Sequence, residues 1–120
     1  MNKKNFILHL NSRKIRYYIV TSKGRKKTKQ FSHKYKIFQK KIHCPSIKFK
    51  GKPRPDLINY CIKINHFDKK KCFYLRDTEH DYLAAKSAKV RFIFANYGYG
   101  EKKRKYKLAI NNPNQLFDFI

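Results

Sequence analysis

Apolar and polar positions alternate with a period of two along residues 57–64. Ile58, Tyr60, Ile62 and Ile64 share one face, while Asn59 and Lys63 point the other way. This pattern predicts a half-buried strand. A charged turn at Lys69, Lys70 and Lys71 precedes a second predicted strand at residues 72–76, and a polar, acid-containing link leads to a third at residues 90–94. The sequence Tyr97-Gly98-Tyr99-Gly100 reads as a turn that returns the chain through four consecutive cations to a fourth strand at residues 106–110. Residues 83–88 have room for one helical turn at most. Short strands recurring between turns predict a mostly β fold, a small antiparallel barrel over residues 56–112, with residues 113–120 as a C-terminal junction segment.

Upstream of Asp56 the pattern weakens. Residues 15–21 are β-branched and aromatic and read as a strand or extended arm stopping at Ser22-Lys23-Gly24-Arg25. Residues 25–41 mix eight Lys and Arg with Phe31, Tyr35, Ile37 and Phe38 without a 3.6-residue period, which predicts irregular chain. Lys48, Lys50, Lys52 and Arg54 occupy every second position, placing four cations on one side of an extended segment. Residues 1–55 are thus expected to form a long basic, partly extended arm with one short strand.

Charge sharpens this division. The chain of 120 residues carries 31 Lys and Arg against 7 Asp and Glu, a formal net charge of +24. Residues 1–55 hold 18 of those cations and no acid, so the two parts carry +18 and +6. An aromatic content of 16% is too high for a disordered polybasic tail, so a core is expected. A folded module with this surplus points to a polyanionic partner, and nucleic acid leads. No run is long and apolar enough to suggest a membrane helix.

The chemistry-bearing residue types form no recognisable constellation. Cys44, Cys61 and Cys72 stand at wide spacings with no C-x-x-C pair, which predicts reduced thiols and no metal site. Asp77, Glu79, His80 and Asp81 read as an exposed acidic loop without a nucleophile to activate. Gly98 and Gly100 give G-x-G without the third glycine and helix of a phosphate loop. No cofactor and no enzymatic activity are expected. The basic and aromatic interleave fits RNA, with cations on phosphates and Tyr or Phe against splayed bases. Candidate RNA contacts are Arg25, Lys26, Lys27, Lys29, Lys48, Lys50, Lys52 and Arg54, together with Lys69, Lys70, Lys71, Lys86, Lys102, Lys103 and Arg104.

Three stretches carry a family resemblance: Asp81-Tyr82-Leu83-Ala84-Ala85-Lys86-Ser87-Ala88, then Gly100-Glu101-Lys102-Lys103-Arg104-Lys105-Tyr106, then Leu116-Phe117-Asp118-Phe119-Ile120. In order and spacing they resemble the N-terminal half of the universal large-subunit ribosomal protein two. The resemblance implies an oligonucleotide-binding (OB-like) barrel that clamps large-subunit rRNA during translation, beside neighbouring ribosomal proteins. It also implies a separate chain supplying a second, C-terminal barrel. Abundant Asn, Lys, Ile, Tyr and Phe without Trp is the bias of A+T-rich coding. With the resemblance, it points to the matrix of the mitochondrion and its ribosome. A free single-strand nucleic-acid-binding protein and a protein–protein scaffold in an organellar assembly are the alternatives.

Overall fold

The computed structural model describes residues 3–21, 24–37, 39–43, 54–98, 100–102 and 104–118. Helices alternate with short strands: α1 (Lys3–Ser12), β1 (Ile19–Val20), α2 (Arg25–Tyr35), β2 (Ile42–His43), α3 (Asp56–Ile64), β3 (Phe73–Arg76), α4 (Glu79–Ala88), β4 (Arg91–Ala95) and β5 (Ala109–Ile110). Short 3₁₀ helices lie at Gln39–Lys41, Lys69–Lys71 and Pro113–Asp118. Every strand pairing among the described residues is parallel. β1 pairs with β2, and β3–β4–β5 form a second sheet in which Phe73 faces Arg91 and Phe94 faces Ala109.

The expected antiparallel, mostly β barrel is therefore corrected to an α/β fold. Residues 57–64 show why. Leu57, Ile58 and Cys61 are buried whereas Ile64 is 49% exposed. Their spacing of one, then three, is the inward stripe of a helix, so the alternation seen in so short a window fits two periods and packing selects the helical one. The turn at residues 97–100 imitates a hairpin, but β4 and β5 run in the same direction. β3 falls within the stretch read as a strand at residues 72–76, and β4 overlaps the one read at 90–94, shifted by one residue.

α4 occupies the stretch granted only one turn. Thr78 and Asp81 form a capping box, with the Asp81 N–H donating to Thr78 Oγ1 at 3.1 Å and the Thr78 N–H donating to Asp81 Oδ2 at 3.2 Å. Lys89 ends the helix in the left-handed region at φ 59°. Ala84, Ala85 and Ala88 are buried, and their small side chains let α4 lie close on the sheet. α2 buries the hydroxyl residues Thr28 and Ser32. Thr28 Oγ1 donates to the Gly24 carbonyl at 2.9 Å and Ser32 Oγ to that of Ile37, so an apolar period never marked this helix.

Side chains of the sheets pack in two clusters. Val20, Tyr74 and Val90 meet Leu57, Ile58 and Cys61 of α3 and the alanines of α4. Phe73, Leu75 and Ile93 meet Leu10, Ile110 and Leu116. Residues adjacent along β3 thus enter different clusters, as expected of a sheet covered by helices on both faces.

His43 ends β2 between Tyr18 and Tyr60, with ring centroids 5.9 and 5.8 Å away. Its Nε2 stands 3.1 Å from Asn65 Nδ2, so the amide donates to a neutral imidazole. Burial lowers the His43 pKa below its ordinary 6.5. The unfolded chain therefore takes up the proton first on acidification, and stability is full above about pH 6.5 and declines below it. Urea midpoints measured from pH 7.5 to 5 should show this decline, and His43→Phe should flatten it.

Candidate active site

In a parallel α/β sheet, the crevice outside the carboxyl ends of the strands collects ligands. Here β1 ends at Val20 and passes to Thr21 and, through Gly24, to α2. β3 ends at Arg76 and passes to Asp77, Thr78 and α4. Arg76 ties these two ends together. Its Nη1 donates to the Val20 carbonyl at 3.1 Å, while its Nε lies 3.6 Å from Asp81 Oδ2. Asp81 is fully buried, and Thr78 Oγ1 donates to the same carboxylate oxygen at 2.6 Å.

Asp77 is half-buried beside that pair and accepts the Gly100 N–H on Oδ2 at 3.1 Å. The loop after β4 folds tightly over it. A Cβ at Gly98 would lie 2.3 Å from Asp77 Cβ, and one at Gly100 would lie 1.7 Å from the Asp77 carbonyl oxygen. The two glycines therefore permit close approach to Asp77 rather than forming a hairpin. Tyr97, from the same loop, has its phenol pushed up by partial burial and then by the Asp77 charge. Gly100→Ala should cost about 2 kcal/mol, because Asp77 backbone must move. Gly24→Ala, with nothing within 4 Å of its added methyl, should leave the urea midpoint unchanged and serves as the control.

Three of the chain's seven acids fall at Asp77, Glu79 and Asp81. Read from sequence as an exposed loop, they form the end of a strand and the first turn of α4, and Asp81 has no exposure at all. Acid concentrated at one strand end of so basic a chain was the available signal. Glu79 accepts from Arg104 Nε at 3.0 Å and from the Tyr106 hydroxyl at 3.0 Å, which fastens the later loop to α4. Asp77 can offer carboxylate oxygen to water, to a substrate proton or to a hard cation. Among the described residues no group of three or more His, Cys, Asp or Glu gathers to hold a metal ion.

The cations singled out from sequence are not brought together. Arg25, Lys26, Lys27 and Lys29 are exposed on α2, which starts beside the carboxyl end of β1. Lys69, Lys70 and Lys71 are exposed before β3, at the amino end of that strand and away from its carboxyl end, and Lys86 is exposed near the end of α4. Arg54 pairs with Asp56 at 3.4 Å, and Lys102 is exposed. Arg104 pairs with Glu79 and lies 4.6 Å over the Tyr82 ring. Lys48, Lys50, Lys52 and Lys103 lie outside the described residues.

The haloacid dehalogenase-like hydrolase family matches residues 2–95. The chain belongs to that family. No curated protein matches it in sequence. Among solved structures, it overlays a Lactobacillus delbrueckii protein proposed to be a phosphoglycolate phosphatase with a TM-score of 0.85 at 17% identity, covering 97% of this chain and 51% of that one. A family IA, variant 3 hydrolase from Entamoeba histolytica gives 0.79 at 25% identity, with 94% and 54% covered. A family hydrolase from Deinococcus radiodurans, solved with bound phosphate and sodium, gives 0.79 at 14% identity, with 94% and 55% covered. The chain spans about half the length of these structures.

Membership in this hydrolase family overturns the ribosomal resemblance. The first of the three stretches that carried it begins in a capped helix, α4, beside the candidate site. The expectations of a structural rRNA-binding role in translation, of rRNA and ribosomal proteins as partners, of a separate chain supplying a second barrel, and of no enzyme are corrected with it, and neither alternative is supported. Surplus charge governs solubility and non-specific attraction and does not specify a fold, which is why it misled.

Proposed function

We propose that this hydrolase-family chain forms the phosphate-handling half of an enzyme that hydrolyses small-molecule phosphate esters. The observation carrying this reading is the placement of Asp77 at the carboxyl end of β3, between the β1 end and the glycine-bearing loop, in a family with a member holding phosphate. The surplus cations draw a phosphate dianion toward the protein. At the site, Asp77 orients water or takes a proton, and Arg76 and Asp81 fix the strand end that presents it. Hydrolysis transfers the phosphoryl group to water and releases an alcohol and inorganic phosphate.

The test is release of inorganic phosphate from a panel of sugar phosphates, phosphoglycolate and p-nitrophenyl phosphate, with and without millimolar magnesium. It uses the protein carrying this segment. Turnover of one or more esters is expected. A silent panel from folded protein would overturn the reading.

A further inference from the structure

Tyr97 stands on the loop after β4, beside the acid of the candidate site, and is 43% exposed. Every other described Phe and Tyr lies against a second ring or a cation. Phe94 stacks on Tyr106 at 4.3 Å, for example, and Phe73 lies under the Arg91 guanidinium at 4.8 Å. Among the described residues, neither a ring nor a cation lies against Tyr97. A solitary exposed aromatic is ordinary on a protein surface, so its placement has to decide.

The loop fixes that placement. On one side Asn96 donates its main-chain N–H to the Ile110 carbonyl and its side-chain amide to Asn111 Oδ1, both at 2.9 Å. On the other side Gly98 donates to the Ala95 carbonyl at 3.1 Å, which closes a turn around Tyr97. Gly98 also lies so close to Asp77 that an added Cβ would stand 2.3 Å from the Asp77 Cβ. Gly100 holds Asp77 Oδ2 from the same loop. Ring and carboxylate are thus neighbours on one fastened surface.

The chemistry of that surface selects among phosphate esters. A flat π-system gains by stacking on an aromatic face and needs no hydrogen bond to do so, whereas a sugar ring is recognised through its hydroxyls. The amide donors of Asn96, Gly98 and Gly100 are spent within the protein, so the loop offers π-surface rather than donors. We propose that Tyr97 is the platform on which the planar base of a nucleoside monophosphate stacks, with the phosphate of the same molecule handled at Asp77. Because the turn is fastened before the ligand arrives, stacking costs little ordering of the protein. The inference rests on the reading of Asp77 as the phosphate-handling acid and adds the substrate class to it.

The test is binding, with analogues of adenosine monophosphate and of ribose phosphate that carry a methylene in place of the ester oxygen and so resist hydrolysis. The two share ribose and phosphorus group and differ by the base. Titration calorimetry of the protein carrying this segment should show the adenosine analogue binding at least about tenfold more tightly, the effect of one stacked base. Tyr97→Ala should bring that ratio below about twofold, while Tyr97→Phe, which keeps the ring and loses the hydroxyl, should preserve it. Tyr97 is exposed and no ring packs on it among the described residues, so both substitutions leave the core intact. Equal or unmeasurable affinities in the wild type, a ratio that survives Tyr97→Ala, or a ratio lost in Tyr97→Phe overturns the proposal. Nothing is turned over in this experiment. It can therefore fail while aliphatic phosphate esters are still hydrolysed, and succeed where the hydrolase reading fails.

Discussion

Asp77→Asn is expected to lower kcat/KM for the best phosphate ester by about a hundredfold or more, the range for losing a positioned acid–base group. The substitution is nearly isosteric, and the asparagine oxygen still accepts the Gly100 N–H that Asp77 Oδ2 accepts at 3.1 Å. Fold and loop closure should persist while the charge is lost. Unchanged urea midpoints and circular dichroism, together with the lost turnover, separate chemistry from folding. A variant retaining more than about half of wild-type kcat/KM would remove Asp77 from the reaction.

What the sequence disclosed follows from which physical signals it carries unambiguously. β3 and β4 were legible because Phe73, Leu75, Ile93 and Phe94 belong to short apolar runs bounded by polar residues. α3 was not, because nine residues satisfy a period of two and of 3.6 almost equally, and only the burial of Leu57, Ile58 and Cys61 separates them. α2 was hidden for another reason: its buried positions are Thr28 and Ser32, which read as polar in any periodicity. Strand direction left no local trace either. Gly98 and Gly100 look like hairpin residues, yet their small size serves the approach to Asp77 from a loop between parallel strands. The site was half-legible. Its acids stand out against a net charge of +24, but only the capping box and the zero exposure of Asp81 turn a polar loop into a built strand end.

That strand end depends on a buried charge, so Arg76→Met should destabilise the protein by about 3 kcal/mol, toward the lower end for removing one partner of a buried pair because Arg76 is itself partly exposed. The cost comes from Asp81. Its carboxylate has no exposure and loses the guanidinium 3.6 Å away, while the Thr78 hydroxyl and N–H remain. Arg76→Met combined with Asp81→Leu removes both charges and forfeits the half of the α4 capping box in which the Thr78 N–H donates to Asp81 Oδ2, a loss of up to about 1 kcal/mol. The double variant should therefore be more stable than Arg76→Met alone, a non-additivity that urea unfolding of the four-member cycle reads directly. Additive losses would show that the pair contributes nothing as a pair. Both variants also release the Val20 carbonyl from the Arg76 bond that joins the ends of β1 and β3. Turnover should consequently fall in the double variant even where stability returns, because Asp77 is presented by a strand end no longer fastened to its neighbour.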